Sequence, residues 1–200
     1  MFRTSPGPDR ARLGFAEQVL SAFDFLRKEY DFQVVEAEPT FVRYESPSIF
    51  VNIYHGRASF ELGFEIGRLS DETGKEEQPY SLSMIIRHMG AQDETGYTFL
   101  QASTQERVKE FVPKLASLVH SYAASALRGD PRTFKQLAAT RSQMSDELHK
   151  DMKLRDVREQ AAKAWQTKNY AELADLYESI LEDLSPAEIK KLDYVNKRLP

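Results

Sequence analysis

The sequence predicts an α+β protein in which an N-terminal helix packs on a four-stranded antiparallel meander, followed by a long helix and a helical C-terminal half. Between residues 32 and 66, short segments rich in β-branched and aromatic residues alternate with Pro or Gly turns, which is the pattern of consecutive strands. On either side of that region, apolar residues recur every three or four positions, which is the period of amphipathic helices. A chain of 200 residues is long enough to bury a core in this arrangement.

Composition excludes several classes of protein. The sequence has no Cys, which removes disulfides, thiolate nucleophiles and Cys-ligated metal sites. The net charge is −4, and Lys and Arg are spread among Asp and Glu. Because the sequence shows no basic stripe that would bind phosphates, we do not expect nucleic acid as a partner. No apolar run approaches the ~18 residues of a membrane span, and the N-terminus lacks the apolar run of a signal peptide. We therefore expect a soluble cytoplasmic protein without membrane contact.

A single apolar stripe marks the N-terminal helix. The members of the stripe stand four, four and three positions apart: Phe15, Val19, Phe23 and Leu26. This spacing places them on one face of a helix over residues 9–30. We expect that helix to cover one face of the sheet.

The four strand segments are residues 32–37, 40–45, 49–55 and 58–66. If Gly56 and Arg57 form a two-residue turn with Gly first, Ile53 lies opposite Phe60. A loop at residues 47–48 then places Val42 opposite Ile53 on the preceding strand. Apolar residues alternate along all these strands, so one face of the sheet is predicted to be buried.

Further helix signals follow the sheet. A short helix is predicted at 81–89, and Ser103 with Glu106 forms a capping box before a long helix that contains Pro113. Asp130 and the following Pro open another helix, and two further N-terminal signatures begin at residues 169 and 185. Because the apolar stripe is thin and the surface charged after residue 130, we predict an α+β sheet domain at 1–129 and a helical C-terminal region at 130–200.

No motif in the sequence predicts catalysis. The histidines stand far apart, at positions 55, 88, 120 and 149, and none has the spacing of a metal-ligand motif. The Gly-rich phosphate-binding motifs and the G-x-S-x-G motif of a nucleophilic Ser are also absent. We therefore predict no catalytic, cofactor-binding or metal-ligating residue.

The strand register instead predicts a partner-binding surface opposite the buried face. Arg43, Asn52 and Glu61 would form one polar cross-strand row there, with Tyr54 beside it. Tyr and Arg dominate the energetics of protein interfaces, so these residues are candidates for contact with a protein partner. A row of opposed charges also stabilises a sheet, by ~0.2–1 kcal/mol per pair. That structural role stays an alternative, above all if helices cover this face.

His55 and Arg57 flank the predicted turn and complete the set of candidate residues. At a hairpin tip, an imidazole beside a guanidinium would be able to reach a partner. The alternative is that His55 is a structural residue at the end of a strand. Together with Glu61, the same two residues would form the site if the protein were an enzyme.

Residues 41–66, which include the turn Tyr54-His55-Gly56-Arg57, resemble a sheet segment of uncharacterised bacterial cytoplasmic proteins. Some of those proteins look like toxin-immunity proteins. The resemblance implies a small bacterial α+β protein that works by binding another protein, and it transfers no catalytic residue. We expect a non-enzymatic binding protein of immunity or regulatory type. The alternatives are an enzyme with a site near the hairpin, and a structural homo-oligomer that pairs through the helical tail.

Overall fold

Six antiparallel strands form the sheet of the protein, in a computed structural model that describes residues 8–56, 58–69 and 77–199. The strands are β1 (Gln33–Glu38), β2 (Phe41–Glu45), β3 (Ile49–His55), β4 (Glu61–Arg68), β5 (Tyr80–Ser81) and β6 (Leu100–Gln101). They are ordered β1-β2-β3-β4-β5, and β6 also pairs with β4. The predicted α+β class and the antiparallel meander are confirmed, and β5 and β6 extend the sheet.

The hairpin between β3 and β4 differs from the prediction. Ile53 pairs with Phe64, not with Phe60, because β3 ends at His55 and β4 begins only at Glu61. In the connecting loop, the Gly56 N–H donates to the Glu61 carbonyl at 2.7 Å. Phe60 adopts a left-handed φ of 54° in this loop. The two-residue turn is therefore wrong, whereas the predicted pairing of Val42 with Ile53 is confirmed.

Because the register moves by an even number of residues, every side chain keeps its face. We call one side of the sheet the core face, which is lined by Val42, Tyr44, Ile49, Val51, Ile53, His55, Leu62, Phe64, Ile66 and Tyr80. We call the other side the outer face, which carries Phe41, Arg43, Glu45, Phe50, Asn52, Tyr54, Glu61, Gly63, Glu65 and Gly67. Every strand residue in the main apolar cluster lies on the core face.

Helices supply the rest of that core. Three helices precede the sheet in the described residues: α1 (Pro8–Ala11), α2 (Phe15–Ala22) and α3 (Phe25–Tyr30). After β5 follow α4 (Leu82–His88), α5 (Gln92–Thr95), α6 (Gln105–Tyr122) and α7 (Ala124–Leu127). The single N-terminal helix that the sequence predicts is divided into three, since Gly14 has a left-handed φ of 67° and the helix α2 ends at Phe23. The four residues of its stripe are nevertheless buried as expected.

The core face also buries one polar group without a partner. Tyr44 is fully buried, and its hydroxyl has no hydrogen-bond partner among the described residues. Burial raises the pKa of this hydroxyl to about 12. An unsatisfied hydroxyl in a core is destabilising.

Two compact units divide the chain, the first up to Thr140 and the second from Arg141. The division falls inside α8 (Pro131–Gln166), and Phe134 of this helix belongs to the core of the first unit. The boundary predicted from the sequence, after residue 129, lies just before the same helix. In the second unit, α9 (Tyr170–Glu178) and α10 (Pro186–Asn196) pack with the end of α8 around a separate small apolar cluster.

Candidate functional site

Two aromatic rings of β3 lie over two glycines of β4 on the outer face. Tyr54 pairs with Gly63, and Phe50 pairs with Gly67. A Cβ atom at Gly63 would collide with the Tyr54 ring, and one at Gly67 would come within 2.5 Å of Phe50 Cζ. Only glycine leaves room for the rings, so each ring packs directly on the backbone of β4.

A polar row runs across the strands between these two rings. Arg43 Nε donates to Glu45 Oε1 at 2.6 Å, and Arg43 Nη1 donates to Asn52 Oδ1 at 3.4 Å. Asn52 in turn hydrogen-bonds Glu65, which pairs with it in the sheet. The guanidinium of Arg43 lies 4.4 Å from the centre of the Phe50 ring, and Arg43 is only 9% exposed. The row is therefore held in one geometry by contacts within the sheet.

The register correction changes the acidic member of this row. The sequence analysis places Glu61 opposite Asn52, but Glu65 occupies that position. Glu61 lies four residues before Glu65 on β4, on the same outer face, where it pairs with Gln101 of β6. Both carboxylates therefore belong to this surface.

Burial sets the protonation of the groups around these carboxylates. Burial raises the pKa of Glu65, and the hydrogen bond from Asn52 offsets only part of the effect. Burial, followed by the charges of Glu65 and Glu61, raises the pKa of Tyr54. The pKa of Tyr97 rises to about 12, first through burial and then through Glu61 and Tyr54. Both phenols are therefore hydrogen-bond donors at neutral pH.

The structure adds two aromatic residues that the sequence analysis did not select. Tyr97 lies close enough to Glu61 and Tyr54 to be affected by their charges. Phe99, which directly precedes β6, is 67% exposed and is one of the most exposed large apolar residues described. The only sequence signal was a short apolar segment at 97–101 between polar loops, which did not by itself predict a strand.

His55 lies on the core face, away from the polar row. It is 2% exposed, its Nε2 donates to the Ala102 carbonyl at 2.8 Å, and its ring stacks on Phe15. Arg10 Nη1 lies 3.2 Å from His55 Nδ1, and Arg10 Nη2 donates to the Gly56 carbonyl at 2.6 Å. Burial, and then the charge of Arg10, lowers the pKa of His55, so the imidazole is neutral.

The predicted residues therefore separate into two groups. Arg43, Asn52, Tyr54 and Glu61 share the outer face, whereas His55 joins the N-terminal helices to the hairpin from the opposite side. Arg57 lies outside the described residues. Since His55 and Glu61 project from opposite faces, the strand geometry does not bring them together at one reacting centre.

Comparison of the chain with protein-family models, with curated proteins and with solved structures finds no match. Nowhere in the described ranges do three or more His, Asp or Glu side chains come together as a metal site requires. None of the described helices has both the length and the apolar character needed to cross a membrane.

Proposed function

We propose that the protein is a non-enzymatic cytoplasmic binding protein, of immunity or regulatory type, that holds a protein partner on the outer face of its sheet. The observation that supports this best is the polar row of Arg43, Asn52 and Glu65, held between two aromatic rings. The helices of the first unit pack with the opposite face. A surface with this composition is typical of an interface.

Preorganisation makes the polar row suitable for binding. Arg43 is already bonded to Glu45 and Asn52 and stacked on Phe50, so little side-chain entropy is lost when a partner contacts it. Tyr54, packed on Gly63, presents a fixed ring and a protonated hydroxyl. A partner would therefore meet a rigid surface, which favours slow dissociation.

The charge of the surface favours a basic partner. On the outer face, the carboxylates of Glu45, Glu61 and Glu65 outnumber the guanidinium of Arg43, which is paired with Glu45. A Lys or Arg of the partner would find acceptors at Glu61 and Glu65. Such complementarity accelerates association and excludes acidic competitors.

Capture from a lysate of the source organism, followed by variants of the surface, tests the proposal. Phe99→Ala removes an exposed ring two residues before Gln101, which pairs with Glu61 of the outer face. Met89→Ala, at a residue that is 57% exposed, is the matched control. We expect a stoichiometric partner that Phe99→Ala weakens by at least about fivefold, or ~1 kcal/mol, and that Met89→Ala retains. A partner that both variants bind equally, or the absence of any stoichiometric partner, would contradict the proposal.

The properties of the captured partner then separate the two types. An immunity protein should bind a partner whose expression alone stops growth, and its addition should restore growth. A regulatory protein should bind an enzyme or a transcription factor whose activity changes on binding. A toxin gene beside the gene of this protein would favour the first type.

Exposed apolar residues on α8 support a second candidate, a homo-oligomer that pairs through this helix. Leu148 is 60% exposed and Met152 is 47% exposed, and their spacing of four places them on one face of the helix. Light scattering after size exclusion, with wild type and Leu148→Gln, tests this candidate. It predicts a multimer that the substitution dissociates, whereas a monomer in both samples would contradict it.

A further inference from the structure

Three aromatic rings form a surface cluster in the second unit, where the end of α8, the start of α9 and α10 meet. The centre of the Trp165 ring lies 5.7 Å from that of Tyr194 and 6.2 Å from that of Tyr170. Tyr170 and Tyr194 are also 6.2 Å apart. Tyr194 is 39% exposed, and the other two rings are half-buried against the apolar cluster of this unit. We call these residues the ring cluster.

Two cations cover the ring cluster. Lys191 Nζ lies 5.3 Å from the centre of the Trp165 ring, and the guanidinium of Arg198 lies 3.6 Å from the centre of the Tyr194 ring. Neither cation forms an ion pair with any carboxylate of the described residues, although Arg158 and Lys163 in the same unit both do. Their positive charge is therefore not neutralised by any carboxylate in the part of the chain that the structure describes.

The local balance of charge differs from that of the whole protein. Residues 189–199 contain four Lys or Arg and one Asp, in a chain whose net charge is −4. Lys191, Tyr194 and Arg198 stand three and four residues apart, which places them on one face of α10 and its C-terminal end. The face therefore combines aromatic side chains with positive charge that no described carboxylate pairs with.

We propose that the ring cluster, with Lys191 and Arg198, is a docking surface for an acidic segment of another protein. The two cations would bind carboxylates of the segment, and the exposed ring edges would pack on its apolar side chains. Trp, Tyr and Arg are the residues most enriched among those that dominate binding energy. This surface lies in the second unit, so the inference does not depend on the proposed role of the sheet face.

A single-stranded nucleic acid would require a different arrangement of the rings. Bases stack on the open faces of aromatic side chains. In the ring cluster, Lys191 and Arg198 lie over the faces of Trp165 and Tyr194, and the rings meet one another edge to face. The geometry therefore favours carboxylates, which bind the cations without displacing them from the rings.

Trp165 provides a direct probe of this surface because it is the only Trp of the chain. The full-length protein is titrated with a short synthetic peptide in which Asp-Glu pairs alternate with Leu, while Trp165 fluorescence is recorded. The same peptide with Asn and Gln in place of the acids, and an oligothymidylate, serve as comparison ligands. We expect a saturable change with the acidic peptide alone, and one that weakens as salt is added.

Charge-matched variants distinguish docking from general attraction. Lys191→Gln with Arg198→Gln removes both cations from the rings, whereas Lys190→Gln with Lys197→Gln removes the same charge from a neighbouring face of the same helix. We expect the first pair to weaken peptide binding about tenfold or more, and the second pair to change it less than about twofold. If the protein with Lys191→Gln and Arg198→Gln does not fold, Arg198→Gln alone replaces it in the experiment, because Arg198 is exposed. This single substitution should weaken peptide binding about threefold or more.

Several results would overturn the proposal. One is an equal loss of affinity in the two charge-matched pairs. Another is no change in Trp165 fluorescence with the acidic peptide up to about 1 mM, the limit of weak binding. Tighter binding of the oligothymidylate would assign the surface to nucleic acid. Self-association of the protein that Lys191→Gln with Arg198→Gln abolishes would assign the surface to a second copy of the chain.

Discussion

The pairing of Phe50 with Gly67 predicts a strong energetic coupling between these two positions. A Cβ atom at residue 67 would come within 2.5 Å of Phe50 Cζ and 2.7 Å of Cε1, well inside the contact distance of two carbon atoms. The ring cannot move aside easily, because Phe50 is fully buried and Arg43 stacks on it at 4.4 Å. Gly67→Ala therefore forces an overpacked contact.

The size of the effect follows from two opposed contributions. Overpacking of this kind costs about 1–3 kcal/mol, whereas replacing Gly by Ala within a strand contributes about 0.5–1 kcal/mol of stability. We expect Gly67→Ala to destabilise the wild-type protein by about 1–2 kcal/mol. In a Phe50→Ala background the overlap is gone, so the same substitution should be neutral or should stabilise by about 0.5–1 kcal/mol.

Urea unfolding of the four proteins of this double-mutant cycle measures the coupling. The structure predicts a coupling energy of about 2 kcal/mol between Phe50 and Gly67. The same cycle between Phe50 and Gly63 serves as the control, since the register with a two-residue turn would pair those two residues instead. Additive effects at Phe50 and Gly67, or a larger coupling at Gly63, would refute the observed register.

Three further predictions concern buried or paired groups. Tyr44→Phe should stabilise the protein by about 1 kcal/mol in urea unfolding, because it removes an unsatisfied buried hydroxyl; a loss of stability would mean that the hydroxyl has a partner. Burial and the charge of Arg10 lower the pKa of His55 in the folded protein. As the pH falls below about 6.5, His55 therefore binds a proton more readily in the unfolded chain than in the folded one. Stability should then decrease on acidification by up to about 1.4 kcal/mol per pH unit, and His55→Gln should abolish this dependence. Burial alone would raise the pKa of Glu188, but its hydrogen bonds, chiefly from Arg158, lower it to about 2. Because solvent screens this pair at the surface, the second unit should lose only about 1 kcal/mol between pH 4.5 and pH 2. Trp165 fluorescence should report this loss, and Glu188→Gln should remove it.

Alternation along β2, β3 and β4 was enough to predict which side of the sheet is buried. Apolar residues at every second position specify a face, and the pairing of Val42 with Ile53 follows from the short loop at 47–48. The length of the hairpin loop could not be obtained in the same way, because a shift by an even number of residues leaves apolar side chains opposite one another. The spacing of Gly63 and Gly67, which equals that of Phe50 and Tyr54, was the available signal.

Other features depend on contacts between distant residues. β5 and β6 have two residues each and exist only because β4 offers partners, so no local pattern predicts them. His55 finds Arg10 and Ala102 across 45 and 47 residues of sequence. Alternation along β3 predicts that His55 lies on the same face as Ile53. Alternation does not predict the hydrogen-bond partners of His55. Which carboxylate lies opposite Asn52 depends on the register of β3 and β4. Only the observed register shows that it is Glu65 and not Glu61.

The central claim, that the outer face holds a protein partner, is tested most directly by oxidative footprinting of Phe99 and Tyr54 in the free protein and in the complex. Both residues should be modified in the free protein and protected when the partner is bound, while Met89 should be modified equally in both states. If Phe99 and Tyr54 stay equally reactive in a stoichiometric complex, the outer face is not the binding surface and the account is wrong.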